Sequence, residues 1–128
     1  MSAESTLYST LNSDATVLSL IGVTGASPAE ARAYPDVVPE GSDLPAIAYQ
    51  RISTEYVQTV DGASPVGETA TLEVTCVAKT RTSADNVADA VQNAAGPAGF
   101  YLVERGSQQV EDQQLWATTL TMSINLIF

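Results

Sequence analysis

Few residues of this chain are of a type that does chemistry, and their spacing does not favour catalysis. The 128 residues include one cysteine and no histidine, which excludes a Ser-His or Cys-His nucleophile pair and a Cys/His metal site within the chain. Cys76 lies on the apolar side of an alternating run, which indicates an inert core thiol rather than a reactive one. Asp61-Gly62 lacks the further acids of a calcium loop, and Glu111-Asp112 lies in a polar connection typical of a solvated turn. We therefore predict no catalytic residue, no cofactor and no metal, and a protein that is not an enzyme.

Acidic residues dominate the charge of the chain. Fifteen Asp and Glu stand against five Lys and Arg, for a net charge of −10, and the acids are spread along the sequence rather than gathered in a tail. This composition argues against nucleic-acid binding, which needs basic side chains to replace counterions. It leaves two interpretations: an acidic surface that keeps the protein soluble, and one that repels a polyanion.

No segment of the sequence predicts secretion or membrane insertion. The first residues, 1–4, lack the basic and apolar regions of a secretory signal, and no apolar run approaches the length of a membrane span. The length predicts one domain over residues 1–128.

The predicted secondary structure is organised around residues 68–96, and this unit must position any functional residue. Strict alternation over 69–79 predicts a strand with one buried and one wet face. A polar turn then leads to a helix, for which we expect Ser83 as N-cap and Asp85 in the first turn. Gly96-Pro97 ends that helix. Six residues are expected to pack in one core cluster: Leu72, Val74, Cys76, Val91, Leu120 and Ile124.

The flanking sequence adds helices before this unit and strands on both sides of it. Residues 5–21 are predicted to form one kinked helix or two short ones, and residues 32–34 a short edge strand ended by Pro35. Further strands are predicted at 46–56, 100–106 and 115–128, the last two pairing as a hairpin with a polar connection at 106–114. The predicted fold is α+β, an antiparallel sheet of four to five strands with two main helices packed on one face.

The predicted loop at 57–67 joins two strands that should pair directly, and it is far longer than a usual hairpin turn. The last strand is also long for so small a chain. Both features indicate self-assembly.

One series of segments runs along nearly the whole chain: Leu7-Tyr8 with Leu11 and Asp14, Val17 to Gly22, Tyr34-Pro35-Asp36, Leu44 to Ser53, Leu72 to Thr80, and the Ala-rich helix that follows. In this order the segments resemble the tail completion, or tail terminator, proteins of long-tailed bacteriophages and of gene-transfer-agent-like particles.

The resemblance implies a structural virion protein that forms a hexameric ring at the head-proximal end of the tail tube. Such a ring ends tube polymerisation and offers a joining surface to the head or neck. The implied partners are further copies of the chain, the tail tube protein and a head-completion or neck protein. DNA would pass through the ring without specific binding, no membrane is involved, and assembly takes place in the host cytoplasm.

Two sets of residues are candidates for this role. The set expected at the assembly or tube interface comprises Tyr56, Val57, Gln58, Thr59, Val60, Asp61, Gly62, Arg51 and Arg81. The acids expected to face the channel are Asp61, Glu68, Glu111 and Asp112. The arginines are expected at subunit contacts, where bidentate pairing with carboxylates is favoured.

Two other functions compete with the terminator role. One is a different ring of the neck, or a minor tail protein with a tube-like fold. The other, from a different class, is a small host ligand-binding domain or enzyme, which the absence of histidine and of a convergent polar set disfavours.

Overall fold

The computed structural model describes residues 2–23, 30–39, 41, 43–58, 65–110 and 114–127. The chain forms, in order, the elements α1 (Ala3–Ser13), α2 (Ala15–Ile21), β1 (Ala33–Pro35), β2 (Ala46–Gln58), β3 (Pro65–Ala78), α3 (Arg81–Ala95), a 3-10 turn (Gly96–Ala98), β4 (Tyr101–Val110) and β5 (Leu115–Ile127). The predicted α+β class is confirmed. None of the described helices is long and apolar enough to span a membrane.

One five-stranded sheet in the order β1-β2-β3-β5-β4 organises the domain, with β3 at its centre. The four long strands pair antiparallel, as predicted, whereas β1 pairs parallel to β2, so the sheet is mixed. The parallel pair arises because the segment after β1 carries the chain back to the start of β2, with Ala33 opposite Ile47 and Pro35 opposite Tyr49. A strand of three residues is too short for its sequence to show whether it pairs parallel or antiparallel, so the parallel pairing could not be predicted.

The N-terminal helical region is two helices, one of the two alternatives predicted. Asp14 has extended backbone angles, so it ends α1, and its side chain accepts a hydrogen bond from the Val17 backbone N–H at 3.0 Å. Asp14 is thus the C-cap of α1 and the N-cap of α2.

Helix α3 begins three residues earlier than predicted, and the expectation that Ser83 is its N-cap is wrong. Thr80 has extended backbone angles, and its hydroxyl accepts a hydrogen bond from the Ser83 N–H at 3.1 Å. Ser83 therefore already lies inside the helix, and Asp85 lies beyond the first turn, where it contacts the sheet instead.

The strands are longer than predicted at the two hairpin ends. β2 runs to Gln58 and β3 begins at Pro65, so the predicted loop at 57–67 reduces to 59–64, which lies outside the described residues. β4 runs to Val110, so half of the predicted polar connection at 106–114 is strand. Nearly every side chain of β4 faces solvent, so the strand lacks the apolar alternation that marks a half-buried one.

The core lies between the helices and one face of the sheet. Small alanines on α3 let it pack closely on the sheet, and α1 and α2 complete the layer. The six predicted core residues all belong to this one buried cluster, which confirms the expected strand register.

Candidate assembly surfaces

The sheet face turned away from the helices, here the open face, is polar and rich in hydroxyl groups over its middle, whereas at the end away from residues 59–64 Ala48, Val77 and Leu115 line an apolar depression. The Thr69 hydroxyl donates to the Asn125 side-chain oxygen at 2.7 Å, and Thr71 and Ser123 share a hydrogen bond of 2.8 Å across β3 and β5. Glu73 lies on this face between such pairs. Hydroxyl pairs of this kind satisfy one another's hydrogen bonds across the strands, which matters most for Ser123 because its side chain is buried.

Carboxylates supply the charge of the open face. By register, Glu55, Glu73 and Glu104 share it, and within the described strands no arginine or lysine does. Glu73 and Glu104 border a shallow depression of about 330 Å³ together with Thr119 and Thr121. The open face is therefore acidic, although the acids named from the sequence are others.

Exposed apolar side chains gather where β2 and β3 lead towards residues 59–64, forming what we call the apolar tip. It comprises Tyr56, Val57, Val66 and Ile127, which are 59%, 52%, 43% and 92% exposed. Val57 lies opposite Gly67, and Gly67 lies opposite Ile127, so these residues share one end of the sheet. By register Val57 and Ile127 lie on the open-face side, and Tyr56 and Val66 lie on the helix side, so exposed apolar side chains occupy both faces of this end, which is typical of an interaction surface.

The tip contains part of the interface set expected from the sequence. Tyr56 and Val57 lie in it, and Gln58 ends β2 beside it. Thr59, Val60, Asp61 and Gly62 lie outside the described residues, as do the expected channel acids Glu111 and Asp112. The roles of all these residues stay predictions.

Arg51 ties the N-terminal helix to the sheet near the tip. Its Nε and Nη2 atoms donate to Glu4 Oε1 at 2.9 and 2.6 Å. Its Nη1 atom lies 3.6 Å from Glu68 Oε1. The hydrogen bond to Glu4 is the main reason that the pKa of Arg51 lies above its ordinary value. The structure thus brings Arg51 and Glu68 together on the helix side, with Glu68 only 13% exposed. That either residue also faces a neighbour or the channel stays a prediction.

Arg81 lies at the opposite end of the sheet from the tip. Its guanidinium lies 5.8 Å from the centre of the Trp116 ring, a cation–π contact, and 3.8 Å from an Asp85 carboxylate oxygen. Trp116 pairs with Ala78 at one end of β3, whereas Glu68 lies near the other end. About ten residues of strand at ~3.3 Å each separate the two ends, so Arg81 does not belong to the same surface as Arg51.

A polar network between α3 and the β4–β5 hairpin was not predicted. Asp85 Oδ1 accepts hydrogen bonds from the fully buried Thr118 hydroxyl at 2.9 Å and from the Ser107 hydroxyl at 3.2 Å. Arg105 donates to Asp89 at 2.7 Å. The network holds the edge strand β4 on the helix layer. Its only signal in the sequence is the spacing of two aspartates four residues apart on one helix face.

These surfaces define the class of the protein. An α+β domain with exposed apolar side chains at one end of its sheet is suited to be a subunit of a larger assembly. The model of the family described as tail completion protein gp17 matches residues 5–124, and the chain belongs to that family. It is a structural protein of the virion tail.

A solved structure supports the fold independently. A chain from the virion of a native gene transfer agent particle superposes with a TM-score of 0.68, over 98% of this chain and 95% of that one, at 15% sequence identity. Similarity at this level of identity shows a shared fold. Comparison with curated protein sequences finds no match.

Proposed function

We propose that this chain is the tail terminator: six copies form a ring at the head-proximal end of the tail tube, stop tube polymerisation and present a joining surface to the head or neck. The observation that carries the proposal is the family match across residues 5–124. The partners are other copies of the chain, the tail tube protein and a head-completion or neck protein. Assembly takes place in the host cytoplasm, and the ring remains in the finished virion.

The apolar tip is the surface proposed to dock on the tube. Its four exposed apolar side chains flank the connection at 59–64, and removal of such area from water stabilises association by about 25 cal/mol per Å² before the costs of binding. Residues 59–62 extend this interface, and Arg51 fixes the strand beside it by holding α1.

The open face is the surface proposed to line the channel through which DNA passes. DNA carries one charge per ~1.7 Å of axis, so a basic wall would hold it and slow its exit. An acidic wall repels it at short range, and six copies around a narrow bore focus that field. Glu73 and Glu104 on the open face support this assignment. Asp61, Glu111 and Asp112 remain the further acids proposed for the channel, whereas Glu68, beside Arg51 on the helix side of the sheet, does not belong to the open face.

Isolated tail tubes test the proposal. Purified protein mixed with tubes and viewed by negative-stain microscopy should appear as a ring of fixed diameter on one end only. Rings that form but do not bind tube ends would favour the alternative function, a different ring of the neck. The absence of rings and of tube binding, even with an excess of the protein, would contradict the proposal.

A further inference from the structure

We propose that neighbouring copies join through their sheet edges, the outer edge of β4 in one copy pairing with the uncovered half of β2 in the next. This inference rests on the proposed ring and specifies its subunit contact.

Both edges are open along much of their length. β4 is the last strand of the sheet, and within the described residues nothing pairs with its outer side. At the opposite edge of the sheet, β1 pairs only with residues 47–49 of β2, so the outer side of residues 50–58 has no partner among the described residues. Unpaired strand edges present rows of N–H and C=O groups that are ready to bond with another strand.

The directions of the two edges are compatible. β2 is antiparallel to β3, β3 to β5, and β5 to β4, so β4 runs opposite to β2. Placing β4 of one copy beside β2 of the next, in the same orientation, therefore makes another antiparallel pair. The contact joins two different surfaces, so every copy repeats it, and such a head-to-tail contact closes into a ring when the rotation permits.

The two edges also match in their exposed apolar side chains and in where these lie along the strands. This match favours a second copy of the chain as the partner of each edge. Each edge has a register shift, at Ile52 in β2 and at Val103 in β4, and these apolar side chains are 48% and 58% exposed. One row across the sheet connects Arg51 through Leu72 and Met122 to Leu102, so both shifts lie beside the same row.

Bulges at these positions give the edges curvature as well as apolar surface. A bulge bends its strand and increases the local twist. A sheet that continues from one copy to the next must curve before it can close into a ring, and the register of neighbouring strands must be staggered. Each bulge lies in the outermost pairing within a copy, so the bend that it makes falls next to the proposed junction.

The test uses two variants that each block one edge. Val103→Lys places a charge on the β4 edge and Ile52→Lys places one on the β2 edge. Asn93→Lys, at an exposed position of α3 and therefore on neither strand edge, is the matched control for the added charge. All three should keep the thermal midpoint of the unchanged chain, since each position is exposed.

Sedimentation velocity at millimolar concentration should then separate the states. The unchanged chain and the control should form rings, and each edge variant alone should sediment as a monomer. An equal mixture of the two edge variants should form a heterodimer and nothing larger, because only one pair of unmodified edges is available. Rings from either edge variant, a mixture that stays monomeric, or an unchanged chain that stays monomeric would overturn the edge contact.

Tube binding in the same preparations separates this inference from the proposed function. Capped tube ends together with rings from an edge variant would refute the edge contact and leave the terminator role standing. Rings that depend on both edges but never bind tube ends would refute the terminator role and leave the edge contact standing.

Discussion

Leu72→Ala is the change that most directly tests the packing on which every surface assignment depends. Leu72 is fully buried in the central strand, with Arg51 and Met122 as its register partners. The change removes three carbon groups, which at ~0.8 kcal/mol each is about 2.4 kcal/mol of lost burial. A cavity adds to this, and large-to-small changes of this kind cost about 2–5 kcal/mol. Because β3 is held by strands on both sides, its backbone cannot collapse far, so we expect about 3–5 kcal/mol.

Urea unfolding followed by circular dichroism measures this cost. The variant should remain folded, since domains have about 5–15 kcal/mol of stability. Ile127→Ala is the matched control: that side chain is 92% exposed, and the change should cost less than about 0.5 kcal/mol. Equal, small effects of the two changes would refute the assignment of the buried face of β3, and with it the assignment of the open face.

Three further predictions follow from the core, the tip and the open face. Burial raises the pKa of the Cys76 thiol from 9.0 to about 12, so the thiol is protonated at pH 8. Because the thiolate is the reactive form, Cys76 should react with a disulfide reagent only after the chain unfolds. Rapid labelling of the folded chain would contradict this prediction. Replacing residues 59–64 by Asn-Gly should keep the unfolding free energy, because that turn suits a hairpin, but should abolish tube binding seen by microscopy, because residues 59–62 are part of the proposed tube interface. Full capping of tube ends by the shortened chain would rule out a role of residues 59–64 in tube binding. Glu73→Lys with Glu104→Lys should slow DNA ejection from reconstituted particles, whereas Glu30→Lys, an exposed acid outside the sheet, should not; equal ejection rates would refute an acidic channel wall.

The sequence predicts the buried face of a strand best where one face is exposed to solvent and the other is buried. The alternation around Leu72 and Val74 specified the buried face of β3 because a shift of one residue would turn every side chain to the other side. The same logic failed for residues 106–110 of β4, where both faces are exposed and no alternation is selected.

Local hydroxyl chemistry and long-range polar contacts were the other sources of error. Thr80 and Ser83 are both capable N-caps, and the choice between them depends on where β3 ends. The sequence predicts that Asp85 interacts with the helix dipole, yet its carboxylate accepts a hydrogen bond from Thr118, 33 residues later on a strand, and helical spacing alone does not reveal that contact. The apolar tip was only partly predicted, because Val66 and Ile127 join Tyr56 and Val57 only once the strand register is known.

The most direct test of the central claim is a cryo-electron microscopy reconstruction of the tail of a particle that contains this chain. The terminator role predicts one six-fold ring of this chain between the last ring of tube protein and the neck, with the apolar tip against the tube and the open face towards the DNA. Copies of the chain along the length of the tube, or at the end distal to the head, would contradict it.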